Sequence, residues 1–296
     1  MTQLKARSRI LQLNRRPLIM GIVNINDDSF SGDGSLNIEE ICEMAKESIR
    51  QGADIIDVGA ESARTNRDAI SCAEEVERLA PFLHAFPTLV KELEPQYEDQ
   101  TWPPVLSINT WRPEVAEAAF AIGGDILNDM GALPDDRNAR ICAETGAALL
   151  IMHSIGEPKV AQRGTSYSDI METLLEFFDK KIAMAKAAGI DEDQILLDPG
   201  IDFAKEASDN LLIYKECAQL VALGLPILLP VSRKTVIGDV LGVDAPYDRD
   251  AGTVACMVQG QLAGAHIFRV HNVEAAVATT RTIAGMAESG PDATSQ

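Results

Sequence analysis

Short apolar runs recur along the chain, each opened by a turn-forming or polar residue and most closed by a polar one. Eight are present: Pro17 to Asn24, Gly52 to Ala60, Pro104 to Asn109, Gly124 to Asn128, Gly146 to His153, Gln194 to Asp198, Pro226 to Ser232 and Gly264 to His271. The runs are continuous rather than alternating, which is the signature of strands covered on both faces. Helical patterns lie between them. Ile38 to Gln51 places Ile41, Met44, Ala45, Ser48 and Ile49 on one face. Pro113 to Ile122 begins with a proline where the missing N–H costs nothing. Ser168 to Ala188 carries Ser168 as a cap and Gly189 just past its end. Leu211 to Leu223 closes at Gly224, and Asn272 to Met286 is the last helix.

This rhythm predicts a single (β/α)8 TIM barrel over residues 17–287, close to the typical ~250 residues of that architecture. An open doubly wound sheet is the alternative, but it would carry a glycine-rich phosphate loop, and no G-x-G-x-x-G occurs. Residues 1–16 read as an N-terminal extension and 288–296 as a disordered tail. The acidic, proline-containing stretch Glu92 to Pro104 joins a helix to the next strand, so it belongs on the bottom face, away from chemistry.

Composition narrows the function. Lys plus Arg number 26 against 45 Asp plus Glu, a net charge of −19. Such a chain does not coat a polyanion, so nucleic acid is excluded as its main partner. A local phosphate site remains open. The segment to Arg16 holds five cations without an apolar run, and Leu18 to Ile25 is far too short to cross a bilayer, so no signal peptide or membrane partner is expected. The five cysteines, Cys42, Cys72, Cys142, Cys217 and Cys256, form no C-x-x-C pair and are odd in number, which points to free thiols and a cytoplasmic location.

In a barrel of this type the strand ends build the site. They carry Asn24, Glu61 with Ser62 and Arg64, Asn109, Asn128, His153, Asp198, Ser232-Arg233-Lys234, and Arg269 with His271. Taken singly, Asn and Asp after a strand are ordinary turn formers, and Lys205 is an ordinary helix-start charge. Converging on one rim, they sort into two chemistries. Asn109, Asn128, Asp198 and Lys234 offer donors and acceptors to a flat heterocycle. Arg269, His271, Arg64 and Asn24 suit a polyanion. Asn24 with Asn26, Asp27 and Asp28 is an oxygen-rich set suited to Mg2+ bridging a diphosphate, or else a solvated loop. The four histidines lack zinc spacing, and no serine sits in a G-x-S-x-G turn.

At these residues the chain resembles the dihydropteroate synthase family. The resemblance runs through MGIVNINDDSFSGDG (20–34), GADIIDVGAESAR (52–64), SINTWRPEVAEAA (107–119), DILND (125–129), LDPGIDFAK (197–205), VSRKTVIG (231–238) and RVHNV (269–273). It implies a (β/α)8 barrel that condenses 6-hydroxymethyl-7,8-dihydropterin diphosphate with 4-aminobenzoate, with Mg2+ assistance, usually as a homodimer. Carried over by position, Asn24 matches the metal and diphosphate asparagine. Asn128, Asp198 and Lys234, with Asn109, match the pterin pocket. Arg269 and His271 match the diphosphate pair, and Phe203, Lys205 and Ser232 the aminobenzoate side. Ser62 and Arg64 lie in the second of two mobile loops. Lys234, Arg269, Asp198 and Asn109 are the expected catalytic set.

The departures cluster at the site. The usual SIDT reads Ser107-Ile108-Asn109-Thr110, so a carboxylate has become an amide. The first loop differs at Asn26 and Asp27, and the second at Ala63, Thr65 and Asn66; the second-loop changes point to reduced sulfonamide sensitivity. Pro230, Asp202 and Ala204 stand at positions that are usually glycine. A pterin-binding relative without synthase activity and a pterin-dependent methyltransferase are the alternative readings. The expected picture is an acidic shell around a cationic mouth of Arg64, Lys205, Arg233, Lys234, Arg269 and His271.

Overall fold

A computed structural model describes residues 3–26, 34–61, 68–160 and 165–289. A short antiparallel hairpin, β1 (Gln3–Ala6) and β2 (Arg9–Gln12), comes first. Eight parallel strands follow: β3 (Leu18–Asn24), β4 (Ile55–Gly59), β5 (Val105–Asn109), β6 (Ile126–Asp129), β7 (Ala148–Met152), β8 (Ile195–Asp198), β9 (Leu228–Pro230) and β10 (Ile267–Val270). Each coincides with one of the eight apolar runs, β6 extending one residue past its run to Asp129. The hydrogen-bonded order is β8-β7-β6-β5-β4-β3-β10-β9, and a parallel bridge between Leu197 and Ile227 joins the two ends into a nearly closed barrel.

The helices pack outside: α1 (Ile38–Arg50), α2 (Cys72–Lys91), α3 (Pro113–Ile122), α4 (Arg137–Thr145), α5 (Ile170–Ala187), α6 (Ala207–Lys215), α7 (Cys217–Val221), α8 (Thr235–Leu241), α9 (Asp250–Leu262) and α10 (Val273–Glu288). α1 starts where Asn37 Oδ1 accepts the Glu39 N–H at 2.9 Å. Two expectations shift. α5 is capped by Asp169, not Ser168, because the Asp169 carboxylate accepts from both Met171 and Glu172 N–H groups. The Leu211 to Leu223 helix begins earlier, at Ala207, and breaks at Glu216 into α6 and α7. α10 continues to Glu288; residues 290–296 lie outside the described ones.

Strand side chains alternate between two environments. Ile19, Ile56, Val58, Leu106, Ile108, Leu149, Leu197 and Phe268 face outward and meet helix residues such as Ile41, Phe82, Val115 and Phe178. Burying each such side chain is worth about 1.5–3 kcal/mol. Leu18, Met20, Ile55, Val105, Ile126, Leu150, Leu196, Leu228 and Ile267 face inward and fill the lower barrel. Leu4, Ala6, Leu11 and Leu13 of the hairpin segment join this inner cluster, so the N-terminal extension closes the barrel floor. The Glu92–Pro104 stretch lies at the same bottom end, where Arg16 and Gln100 tie it down. Gln100 Nε2 donates to the Ile49 and Ala53 carbonyls at 3.0 and 2.9 Å. Two strand positions above the apolar floor, the inner face turns polar.

Candidate active site

The inner polar layer is built by strand register. Ile55, Asp57 and Gly59 lie on one face of β4, and Val105, Ser107 and Asn109 lie opposite them on β5. Asn109 in turn pairs with Asn128 of β6. Gly59 leaves room here: a Cβ at that position would stand 3.1 Å from the Asn109 Cβ, so the Asn109 side chain would have to shift by a few tenths of an ångström. Arg269 enters from β10, where it pairs with Met20 and Pro230. The structure thus brings Asn109, Asn128 and Arg269 together, around a carboxylate that the sequence reading passed over. Asp57 Oδ1 accepts from Ser107 Oγ at 2.6 Å and from Asn128 Nδ2 at 3.1 Å. Its Oδ2 accepts from Asn109 Nδ2 at 3.2 Å, Asn128 Nδ2 at 3.2 Å and Arg269 Nε at 2.8 Å. The signal was available: a lone carboxylate inside a strand buried on both faces must have partners.

Asp198 ends β8 and is 4 % exposed. Its Oδ1 accepts the Gly200 N–H at 2.6 Å. Burial pushes its carboxyl up to about 6; the Gly200 N–H and the charges of Lys234, Lys205 and Arg269 hold it from going higher. Gly200 has φ +67, and a Cβ there would stand 2.0 Å from the His153 carbonyl oxygen, so only glycine makes this turn.

Lys205 is no solvated helix-start charge. Its Nζ meets three acceptors, His153 Nδ1 at 2.9 Å, Gly200 O at 2.9 Å and Phe203 O at 3.0 Å. Those match the three N–H groups of an ammonium. Burial lowers its pKa to about 7, and burial also lowers His153 to about 3, which leaves that ring neutral and able to accept. Lys234 Nζ donates to the Ile201 carbonyl at 3.0 Å and lies 5.5 Å from the centroid of the Phe203 ring. Phe203 packs against the inner cluster. Lys234 is lowered by burial, against the pull of Asp202 and Asp198.

Asp202 and Ala204 keep the left-handed backbone of the glycines they replace, at φ 68 and φ 50. Such a conformation costs an ordinary residue about 1–2 kcal/mol. Asp202 offsets it by accepting the Thr235 and Val236 N–H groups at 2.5 and 3.3 Å, which ties the turn after β8 to the start of α8.

Ser232 Oγ and His271 Nδ1 are 2.8 Å apart, and the His271 N–H reaches the same Oγ at 3.1 Å. Asn24 ends β3 on the inward register, level with Gly59. Arg233 departs from the expected cationic mouth. Its guanidinium is turned outward to Asp250, at 2.7 and 3.1 Å, and stacks 4.3 Å from the Tyr247 ring centroid. In a tight turn adjacent residues point apart, and Lys234 takes the inward direction. Ser62, Arg64, Asp27 and Asp28 lie outside the described residues.

The acceptor-rich slot at these strand ends, with cations beside it, fits a polar heterocycle carrying an anionic leaving group. Comparison with known proteins agrees. A family model described as pterin binding enzyme matches residues 20–271. The chain is similar to the dihydropteroate synthase of Escherichia coli K12, at 35 % identity over 90 % of each chain. It is 36 % identical to that of Synechocystis, over 88 % of this chain and 87 % of the other. Among solved structures, Xanthomonas albilineans dihydropteroate synthase with 4-aminobenzoic acid superposes with a TM-score of 0.83 at 32 % identity, covering 98 % of this chain and 99 % of that one. A Yersinia pestis dihydropteroate synthase in a sulfonamide drug complex gives a TM-score of 0.86 at 32 % identity, covering 98 % and 100 %.

Proposed function

The chain belongs to the dihydropteroate synthase family of pterin-binding enzymes, and from that premise we propose that it transfers the pterin methyl group of 6-hydroxymethyl-7,8-dihydropterin diphosphate to 4-aminobenzoate. The products are 7,8-dihydropteroate and diphosphate, a step of folate biosynthesis. The observation that carries this reading is the inner polar layer, in which Asn109, Asn128 and Arg269 share one carboxylate and Asp198 lies within the field of Lys234, Lys205 and Arg269.

The contacts support the following division of labour. Asn109, Asn128, Asp198 and Lys234 hold the pterin ring. Arg269, with Nε fixed on Asp57, presents its terminal nitrogens to the leaving diphosphate. His271, held by Ser232, stands beside it. As the C–O bond breaks, positive charge spreads from the exocyclic methylene into the pterin, and Asp198 faces that ring as a carboxylate. The neutral arylamine attacks without needing a strong base. Phe203, Ser232 and Lys205 form the aminobenzoate side, and exclusion of water from the site would keep water from capturing the cation.

Mg2+ is a fitting cofactor. It keeps several waters and is usually bound through one or two carboxylates plus substrate phosphates; here the Asn24 amide oxygen at the strand end would take a carboxylate's place. No group of three His, Cys, Asp or Glu side chains suited to a metal occurs among the described residues. Bound there, Mg2+ would neutralise part of the diphosphate charge.

Exposed Val240, Leu241, Tyr247, Leu262 and Met286 on and near α8, α9 and α10 support a homodimer through that side. Cys42, Cys72, Cys142, Cys217 and Cys256 are free, in keeping with the cytosol. No helix among the described residues is long and apolar enough to cross a membrane.

A coupled assay with the pterin diphosphate and 4-aminobenzoate tests the reading on wild type beside Asn109→Asp. Turnover by the wild type is expected, with sulfonamide inhibition weaker than that of the Escherichia coli relative. No turnover by either protein leaves a pterin-binding relative without the reaction. Inhibition as strong as the relative's removes the loop argument.

A further inference from the structure

Asp57 is surrounded by donors alone. Ser107, Asn109, Asn128 and Arg269 each give it a hydrogen. Its side chain is fully buried, so it has no water to choose instead. This geometry decides a question that an amide side chain leaves open. An asparagine can turn either its oxygen or its NH2 toward a neighbour. Facing a carboxylate, it must turn the NH2, because two acceptor oxygens repel. Asn109 and Asn128 both do so, at 3.1 to 3.2 Å. In a planar amide the oxygen lies on the other side of the group, so the oxygens of both residues point away from Asp57. The two residues are direct neighbours across β5 and β6. The outcome is a pair of adjacent acceptors at the barrel mouth, with the Asp198 carboxylate as a third on β8.

A pterin presents an amino group and ring N–H groups along one edge, which calls for acceptors. A carboxylate at position 109 accepts in any orientation. An amide accepts only when something holds it the right way round. From these contacts we infer that Asp57 is a positioning residue: it fixes the amide orientation of Asn109 and Asn128, so that this chain offers acceptors to the donor edge of its substrate without a carboxylate at position 109. The inference rests on the pterin reading of the site for its ligand, but the orientation itself does not.

The experiment compares wild type, Asp57→Asn, and Asp57→Asn with Asn109→Asp. Binding of 6-hydroxymethylpterin is measured by calorimetry, and urea unfolding is followed without ligand. In Asp57→Asn the new NH2 meets the NH2 of Asn109 or Asn128, and relieving that clash turns an NH2 toward the ligand. Binding should weaken roughly a hundredfold, as for two misdirected hydrogen bonds, and the urea midpoint should fall. Adding Asn109→Asp supplies an acceptor on both sides. Binding should then return to within about tenfold of wild type, with part of the lost midpoint recovered.

If the second substitution recovers neither, Asp57 acts through Arg269 alone and the inference is overturned. If it recovers the midpoint while wild type itself fails to bind 6-hydroxymethylpterin, the orientation stands and the pterin reading falls. Should Asp57→Asn not fold, Asn109→Ala leaves Asp57 and Arg269 in place. It should weaken binding about tenfold, and unchanged binding overturns the inference.

Discussion

Asp198→Asn lowers kcat/KM about a hundredfold and abolishes the acid limb of the pH profile. The magnitude is that of a hydrogen-bond pair to a charged group, about 1.5–3 kcal/mol. The pH dependence follows from burial, which raises the Asp198 carboxyl to about 6. Above that value it is a carboxylate that accepts from the substrate edge. Below it the acquired proton occupies an acceptor position, so wild-type kcat/KM falls as pH drops through about 6. An amide at 198 has nothing to titrate there.

Stability runs the other way. The folded pKa lies above the unfolded one, so the folded chain holds this proton more tightly, and the group's contribution to stability declines as pH rises from about 4 to about 6. At neutral pH the buried charge opposes folding. The variant, whose Oδ1 can still accept the Gly200 N–H, should therefore unfold no earlier than wild type. A wild-type profile flat to pH 4.5, or an acid limb retained in the variant, contradicts this role for Asp198.

Arg16→Met costs about 3–5 kcal/mol of stability with the active site intact. Arg16 is 4 % exposed and Asp54 is fully buried. Two bonds join them, Nη1 to Oδ2 at 2.8 Å and Nη2 to Oδ1 at 3.1 Å. The Asp54 oxygens also accept the Ile19 and Thr101 N–H groups, both at 2.8 Å. Arg16 continues to Asp99 through Nε at 2.9 Å, and Asp99 binds Arg281, which stacks 4.1 Å from the Tyr97 ring centroid. One guanidinium thus fastens the bottoms of β3 and β4 to the Glu92–Pro104 stretch and α10. Without it, a fully buried carboxylate loses its only cation among the described residues, the case in which an ion pair matters most. Thermal unfolding should fall by about 10 °C, with KM for both substrates unchanged. A shift under about 2 °C would show that the network adds little.

The barrel was legible because both strand faces are buried, which made each strand an unbroken apolar run. The same property hid Asp57. Its neighbours Ile56 and Val58 face the helices, Ile55 faces the floor, and a single polar letter within IIDVG breaks no pattern. Asn109, Asn128 and Asp198 were visible because they close runs, where the chain turns polar, and Lys234 because it follows just after one. Arg233 was misplaced because sequence adjacency to Lys234 says nothing of direction. The hairpin was passed over as an extension, although Leu4, Ala6, Leu11 and Leu13 alternate with polar residues as a half-buried strand pair should. The cations between them interrupt that period as it reads along the sequence. Lys205 shows the opposite error: a lysine at a helix start reads as solvated until the turn folds three acceptors around it.

That hairpin has a kinetic consequence. By sealing the floor it turns the barrel into a vessel with one opening, so everything that reaches the slot must pass the same rim. The proposed pterin pocket lies on the inner face of β5, β6 and β8, whereas Phe203 and Ser232 stand in the turns that follow β8 and β9. A molecule seated at the rim therefore blocks access to the slot below it. On the proposed assignment of the two sites, turnover is expected to be ordered, with pterin diphosphate binding first and the arylamine second. Aminobenzoate bound alone is a stopper, and excess of it should inhibit, with the inhibition relieved by raising the pterin diphosphate concentration.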